Sequence, residues 1–317
     1  MIAGPLIQVW ADAYAIHSPA SLVKYKGSNP AAGIKSVINK EADFSCLDMP
    51  LTPAELKANG LTQFPFALSG IAPIVNLPNV YPGQLRLDGK TLADIFLGNI
   101  TRWDDPAIVS LNPSVKLPEA NIIIVHRASP PGISTIIGDY LAKIHPQWKA
   151  LKGDGMAGNW PASAIEVKDP IQGAATIKKT SYSIGYLAVP QIMKNALTYV
   201  QLQNKAGKFV SPSDENISAA AEGANWDSAS GMSVVLTDQP GESSWPLAMA
   251  SFALLRKTAD QPERSVEVLK YFKYSLRYGG LRAVQQDYIP LPETVKVKVR
   301  ASWDGILDSK GEPLFKD

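Results

Sequence analysis

Two adjacent basic residues, His126 and Arg127, follow an apolar run that is typical of a buried strand. The run, residues 122–125, contains only β-branched side chains, which suit a strand covered on both faces. Ser129 is predicted to cap the next helix, and Pro130 suits its first position. Because a helix start offers N–H groups and a partial positive charge, an arginine beside it predicts an anion site.

Prolines limit the hydrogen-bond donors of this predicted anion site. Pro130 and Pro131 lie where the second helix should begin, and Pro30 lies at the predicted start of an earlier helix. A proline in the first turn leaves the helix intact, because the N–H group at that position has no intrahelical partner. The sequence therefore predicts a preserved scaffold whose anion site has lost amide donors.

A carboxylate and a thiol stand near the end of another predicted strand, residues 44–47. Asp48 follows that strand, and Cys46 lies within it. A thiol nucleophile needs a base, and none of the histidines lies in a recognisable partner motif, so Cys46 is interpreted as a structural residue. The histidines also lack metal-ligand spacing. They are His17, His126 and His145. We predict no catalytic residue, no metal and no cofactor.

The composition indicates a globular protein of two domains. The chain has 317 residues, 45% hydrophobic and 19% charged, with a net charge of +2. This balance disfavours nucleic acid and acidic membranes as partners, and no apolar run reaches membrane-spanning length. A single cysteine excludes an internal disulfide and weakly favours an exported protein, although Met1 does not begin a recognisable signal peptide.

Predicted strands and helices alternate along the chain, which indicates an α/β fold. Residues 21–25 and 64–75 are predicted strands, and residues 91–97 are predicted to form a helix capped by Thr91 and ended by Gly98. Thr52, ahead of Pro53 and Glu55, is predicted to cap another helix. The even composition along the chain predicts two domains that interleave.

At residues 87–113, LDGKTLADIFLGNITRWDDPAIVSLNP, the chain resembles the phosphate-binding proteins of bacterial ABC transporters, the PstS family. The segments VWADAY, ADFSCLDMPLT, LTDQPGESSWP and YIPLP share the resemblance, which extends over nearly the whole chain. It implies a type II periplasmic-binding-protein fold, with two α/β lobes and a ligand cleft between them. The expected lobes are residues 1–79 with 243–317, and residues 80–242.

The resemblance also implies roles for individual residues in binding phosphate without a metal. Asp48 matches the aspartate that accepts the remaining phosphate proton, Arg127 matches the arginine that pairs with the phosphate charge, and Gly132 matches a glycine of the second loop. Ser28 and Asn29 are candidate replacement donors. Ser129 is a further candidate contact, although a role as a helix cap is favoured for it.

Other positions depart from the family pattern. Pro30 stands where a ligand serine is expected, and Ser129 replaces an acidic residue. The Ser-Gly-Thr donors become Pro131, Gly132 and Ile133, and the threonine and aromatic residue of the N-terminal corner fall at or before Met1 and Ile2. Since each unmet hydrogen bond to a charged group costs about 1.5–3 kcal/mol, we expect weakened phosphate binding.

Two interpretations of the charged pair are open: Arg127 binds an anionic ligand, or it forms a salt bridge with Asp48 across the cleft. The first predicts a non-catalytic, monomeric solute-binding protein, periplasmic or secreted, whose partners are phosphate or another small anion and the membrane complex of an ABC transporter. The second predicts a repurposed scaffold that acts through protein contacts. An enzyme is the least favoured hypothesis.

Overall fold

The computed structural model describes residues 3–27, 29–128, 132–152, 160–228 and 230–315. Its helices are α1 Gly4–His17, α2 Pro30–Ile38, α3 Pro53–Asn59, α4 Gly89–Leu97, α5 Pro106–Leu111, α6 Ile133–Ile144, α7 Pro146–Lys152, α8 Pro170–Lys179, α9 Val189–Lys194, α10 Asp214–Glu222, α11 Pro262–Tyr278, α12 Gly280–Gln285 and α13 Glu293–Ser302. Its strands are β1 Ser45–Leu47, β2 Leu61–Asn76, β3 Arg86–Leu87, β4 Ile123–Arg127, β5 Ile165–Val167, β6 Ser183–Ala188, β7 Thr198–Tyr199, β8 Gln201–Gln203, β9 Phe209–Val210, β10 Ala248–Arg256 and β11 Ile289–Pro290. Over these ranges, none of the helices has the length and apolar character that crossing a membrane requires.

The backbone divides into two compact units that interleave along the chain. Unit 1 comprises residues 1–69, 224–235 and 249–317, and unit 2 comprises residues 70–223 and 236–248. In the prediction from sequence, the chain passes from one lobe to the other after residues 79 and 242. In the structure, it passes from one compact unit to the other within β2, after residue 69, and again after residues 223, 235 and 248. The long strand β2 therefore contributes residues to both units.

In unit 1, a sheet carries the first part of the candidate site. Its strand order is β1, β10, β2, with β11 paired to the first half of β2. The strands β1 and β10 are antiparallel, with Cys46 opposite Ala253. Aromatic side chains fill the core behind the sheet, and Phe64 makes edge-to-face contacts with Phe272 and Trp303. This packing joins β2 to helix α11 and to the C-terminal part of the unit.

In unit 2, strand β4 lies between β5 and β6, and both neighbours run parallel to it. The second half of β2 continues the sheet by antiparallel pairing with β6. Helix α8 packs against β4, β5 and β6. A strand with neighbours on both sides and a helix over its face must be apolar, which explains the isoleucine-rich run before His126. The strand ends at Arg127.

Several local predictions are confirmed. Thr52 and Glu55 form a complete capping box at the start of α3. Gly98 ends α4 in the left-handed conformation that favours glycine. Pro30 occupies the first turn of α2, as the sequence predicts.

Three local predictions are wrong. Residues 21–25 form no strand, although their backbone is not helical either. Asp88, rather than Thr91, caps α4, because its carboxylate accepts the Thr91 N–H at 2.7 Å. Helix α6 begins at Ile133 with Gly132 as its N-cap, so Ser129 does not cap this helix. Ser129 and the prolines 130 and 131 lie outside the described residues.

Candidate functional site

Asp48 directly follows β1 in unit 1, and only 6% of its surface is exposed. Its charge reaches two tyrosines from different parts of the unit. Burial raises the pKa of Tyr25, with smaller contributions from Cys46 and Asp48. Burial, followed by the Asp48 charge, raises the pKa of Tyr288 well above its ordinary range. Both hydroxyls therefore stay protonated at neutral pH and are suited to donate hydrogen bonds.

These tyrosines are missing from the residues predicted for the site. Tyr25 lies in the segment 21–25, whose predicted role was structural, and Tyr288 lies in the YIPLP run that shares the family resemblance. A signal was therefore present for Tyr288, in its membership of a matching segment. The sequence offered none for Tyr25, because only the fold brings it near Asp48.

The start of α2 shows where its amide donors go. Pro30 has no N–H group. The side chain of Asn29 caps the helix, because its Oδ1 accepts the Ala32 N–H at 2.8 Å. The Gly33 N–H donates to the Asn29 carbonyl at 3.0 Å. The first four residues of α2 are Pro30, Ala31, Ala32 and Gly33. Pro30 has no N–H group and the N–H groups of Ala32 and Gly33 donate to Asn29, so only Ala31 keeps an N–H group that is not used in these ways.

Arg127 is the last residue of β4 in unit 2, and it pairs with Val167 of the parallel strand β5. The next residue continues the pairing, because the Ala128 N–H donates to the Val167 carbonyl at 2.8 Å. The Arg127 side chain is half-buried, and among the described residues its Nε atom has no hydrogen-bond partner. A guanidinium that is held at a strand end with an unused N–H is suited to pair with an anion.

Two hydroxyl groups that the sequence did not predict lie next to this arginine. Ser134 Oγ, in the first turn of α6, is 3.0 Å from the Tyr186 hydroxyl of β6. Burial raises the pKa of Tyr186, while hydrogen bonds from Ser134 and from the Arg127 backbone, and the Arg127 charge, partly oppose this rise. Arg127, Ser134 and Tyr186 thus form one contiguous polar group around the end of β4. Only the pairing of β4 with β6 reveals it.

The residues that open α6 have different roles. Gly132 adopts a φ of +136°, which favours glycine, and its carbonyl accepts the Thr135 N–H at 3.0 Å. Ile133 is only 3% exposed, so its side chain belongs to the core. The position where the resemblance implies a hydroxyl donor therefore carries a buried hydrocarbon. The predicted residues Ser28, Ser129 and Pro131 lie outside the described residues.

His126 and Cys46, the other residues whose side chains could take part in chemistry, lie in the packed interior. His126 stacks on Trp160 with 4.3 Å between ring centroids, which agrees with its interpretation as a packed side chain. Burial, with a smaller contribution from Asp48, raises the pKa of the Cys46 thiol far above its ordinary value. Since the thiolate is the nucleophilic form, Cys46 is a poor nucleophile at neutral pH.

Comparison with known proteins identifies the scaffold. The family profile described as a PBP superfamily domain matches residues 3–276. The phosphate-binding protein PstS of Pasteurella multocida is 40% identical over 313 residues, which cover 98% of this chain and 90% of that protein. PstS of Haemophilus influenzae is 39% identical over 299 residues, which cover 94% of this chain and 89% of that protein. The crystal structure of an ABC-type phosphate transport receptor from Vibrio cholerae shares the fold, with a TM-score of 0.62 at 19% identity, over 92% of this chain and 96% of that one.

Two α/β units that interleave along the chain, together with the family match, identify the scaffold of a binding protein. The chain belongs to the PBP superfamily and, within it, to the family of phosphate-binding proteins named PstS. The resemblance predicted from the sequence, the type II fold class and the class of non-enzymatic binding protein are confirmed by these matches.

Proposed function

We propose that this chain is a non-catalytic solute-binding protein of the phosphate-transport type in which affinity for phosphate is weak or lost. The observation that carries the proposal is the hydrogen bond from the Ala32 N–H to Asn29 Oδ1. Together with Pro30, it removes two of the amide donors that the start of α2 could offer an anion.

The charged part of the site is retained in each unit. Arg127 supplies positive charge with an unused buried Nε among the described residues, and Asp48 supplies a buried carboxylate that can accept a proton from a ligand. A phosphate monoanion or dianion, however, needs many donors for its oxygens. Each missing hydrogen bond to the charged ligand costs about 1.5–3 kcal/mol, so two or three losses lower the affinity by orders of magnitude.

The start of α6 in unit 2 also lacks hydrogen-bond donors that the family pattern would supply. Ile133 stands where the resemblance implies a threonine hydroxyl, and its side chain is buried in the core. Pro131, by sequence, has no N–H group. The hydroxyls of Ser134 and Tyr186 bond to each other at 3.0 Å, so neither fully replaces the lost donors.

The same proposal gives the protein a location and a partner. Membership of the family supports action outside the cytoplasm, in the periplasm or in secreted form, and the membrane complex of an ABC transporter as partner.

Calorimetric titration tests the proposal. We expect no measurable heat when millimolar phosphate is added to the natural chain at neutral pH. The variant Pro30→Ser/Pro131→Ser/Ile133→Thr, named here the donor-restored variant, should gain at least tenfold in phosphate affinity. Its matched control, Pro30→Ala/Pro131→Ala/Ile133→Val, reproduces the backbone and the side-chain shape without the hydroxyls and should gain less. Micromolar phosphate binding by the natural chain would contradict the proposal.

A further inference from the structure

A cleft of about 500 Å³ in unit 2 is lined mainly by polar and basic side chains. Its walls come from the turn before β3, the turn after α5 and the start of β8. All of its lining residues belong to unit 2, and none belongs to β4 or α6, which carry the Arg127 group. We refer to it as the basic cleft. The polar and charged side chains used below are those of Asn79, Gln84, Arg86, Lys116 and Gln201.

A buried asparagine fixes Arg86 in the wall of the basic cleft. Asn112 is only 2% exposed, and its Oδ1 accepts the Arg86 N–H at 2.8 Å. Its Nδ2 donates to the Arg86 carbonyl at 2.8 Å and to the Ile108 carbonyl at 2.9 Å. These bonds satisfy the backbone of β3 as a neighbouring strand would. Asn112 therefore positions Arg86 and has little capacity left for a ligand.

The side chain of Arg86 is also held, but only by one part of its guanidinium. The Nε atom donates to Gln201 Oε1 at 3.2 Å, and the Gln201 amide donates in turn to Ser211 Oγ at 3.3 Å. The guanidinium carbon lies 5.4 Å from the centroid of the Phe209 ring. Within the part of the chain that the structure describes, the two terminal amino groups of Arg86 have no hydrogen-bond or ion-pair partner. They form an oriented fork that suits the oxygens of an anion.

Lys116 supplies a second positive charge to the basic cleft. It is exposed, and over the described ranges it forms no ion pair. None of the residues that line the cleft is acidic. The acidic residues that flank these segments in the chain have other roles, since Asp88 and Asp105 cap α4 and α5, and Asp104 pairs with Arg102. The positive charge of the cleft is therefore not neutralised from within, which favours an anionic ligand.

We propose that the basic cleft binds the phosphate monoester of a small hydroxylated molecule, as in a sugar phosphate. A phosphate monoester carries a charge of about −1.5 to −2 at neutral pH, so it can pair with Arg86 and Lys116 together, and its oxygens match the arginine fork. The volume of the cleft lies in the range of about 300–1,000 Å³ that is typical of sites for small organic molecules. A single inorganic anion would leave most of it unfilled.

The remaining lining suits the organic part of such a ligand. Gln84 Oε1 accepts the Tyr81 N–H at 3.0 Å, which leaves the Gln84 NH₂ group as a donor. Asn79 adds a second exposed amide, and amides can both donate to hydroxyl groups and accept from them. Leu111 and Val115 provide apolar surface for a carbon skeleton. This inference goes beyond the proposed function and does not depend on the phosphate affinity of the Arg127 group.

The probe is glucose 6-phosphate, titrated by calorimetry at neutral pH against the full chain and against its Arg127→Gln variant. Because Arg127→Gln removes the charge of the other anion site, binding to this variant reports on the basic cleft. We expect saturable binding of equal affinity to both proteins, at least tenfold tighter than the binding of inorganic phosphate or succinate to the variant, and no measurable heat from glucose. Amide hydrogen exchange should slow at least threefold in residues 79–86 and 111–116.

Replacement of single charges locates the site. Lys116→Gln should weaken the binding of glucose 6-phosphate at least fivefold, and Arg86→Gln should weaken it at least tenfold because the fork is lost as well. The matched control is Lys194→Gln, which removes the same charge from an exposed position on α9 of the same unit and should leave the affinity unchanged.

Each contrary result has a defined meaning. No binding of glucose 6-phosphate, or equal affinity for succinate, would overturn the assignment of a phosphate monoester. Equal affinity of the Arg127→Gln variant for inorganic phosphate would overturn the role of the organic part. Loss of glucose 6-phosphate binding in Arg127→Gln, or full binding in both Lys116→Gln and Arg86→Gln, would place the ligand outside the basic cleft. Micromolar binding of inorganic phosphate that Arg127→Gln abolishes would contradict only the proposed function.

Discussion

The hydroxyls of Ser134 and Tyr186 lie 3.0 Å apart and join the first turn of α6 to strand β6. Both side chains are buried, with Ser134 8% and Tyr186 4% exposed. The Tyr186 hydroxyl also interacts with the backbone and the charge of Arg127. The pair therefore fixes the start of α6 relative to the strand end that carries the arginine, and links the packing of unit 2 to the position of its anion-binding group.

Replacing either hydroxyl should destabilise the protein. Tyr186→Phe leaves Ser134 Oγ and the Arg127 N–H without this partner, so we expect a loss of about 1–3 kcal/mol in the free energy of unfolding. Ser134→Ala should lower the free energy of unfolding by less, because the Tyr186 hydroxyl keeps its hydrogen bond with the Arg127 backbone. The double variant should cost less than the sum of the two single changes, as measured by urea denaturation. Additive losses would show that the hydroxyls do not interact.

Buried tyrosines predict a loss of stability in alkali. Burial, with Asp238 and Asp88 as smaller causes, raises the pKa of Tyr140. Above the unfolded-state pKa of about 10, the folded protein retains a phenolic proton that the unfolded chain has lost. This contribution is fully present below about pH 10 and is lost as the pH rises towards the folded-state pKa, with a slope of up to about 1.4 kcal/mol per pH unit.

Tyr140→Phe should remove this part of the alkaline dependence. The difference in free energy of unfolding between the natural chain and the variant should be constant below about pH 9 and should shift in favour of the variant above about pH 10. The core variant Ile108→Val in the same unit is the control, since it removes only buried hydrocarbon and lowers stability by an amount that does not change with pH. Parallel curves for the natural chain and Tyr140→Phe would refute the prediction.

The sequence predicted elements whose determinants are local. The capping box of Thr52 and Glu55, the proline in the first turn of α2 and the left-handed Gly98 each depend on residues within one turn, and each was predicted correctly. The sequence did not show which of two neighbouring residues caps α4. Asp88 and Thr91 both suit a helix start, and the structure selects Asp88 because its carboxylate accepts the Thr91 N–H.

Features that depend on distant pairing could not be predicted. Residues 21–25 alternate as a strand should, but a strand also needs a neighbour, and no sequence pattern reports whether one is present. Likewise, only the fold brings Tyr25 within range of the Asp48 charge and Tyr186 next to the Arg127 backbone, so the site prediction included the two charged residues and omitted these two tyrosines.

The capping box of α3 predicts a loss of stability in acid. Hydrogen bonds from the backbone and then from the side chain of Thr52 lower the pKa of Glu55. The contribution of the Glu55 carboxylate is present above its unfolded pKa of about 4.3 and is lost as the pH falls through the folded-state value. Thr52→Ala should lower the free energy of unfolding by about 1 kcal/mol at neutral pH and by less in acid.

Two further variants isolate the charge in this box. Glu55→Gln can still accept the hydrogen bonds but cannot titrate, so its stability relative to the natural chain should increase as the pH falls below about 4. Thr52→Ser keeps the capping hydroxyl and should stay close to the natural chain at every pH. Chemical denaturation at several pH values measures all three variants. An equal effect of Thr52→Ala at neutral and acidic pH would contradict the assigned role of Glu55.

Asn29 connects the stability of α2 with its capacity to bind an anion. Its side chain occupies the Ala32 N–H at 2.8 Å. Replacement by Gly should lower the free energy of unfolding by a few tenths of a kcal/mol and replacement by Ala by about 1 kcal/mol, yet both variants release the same N–H group.

In the donor-restored variant, we therefore expect both replacements of Asn29 to raise phosphate affinity by about tenfold or more, which is the contribution of one hydrogen bond to a charged ligand. Calorimetry measures the affinity, and urea denaturation measures the stability. If affinity followed stability instead, so that Asn29→Ala bound phosphate more weakly than Asn29→Gly, the cap would act through the order of the helix and not by competing for the Ala32 amide.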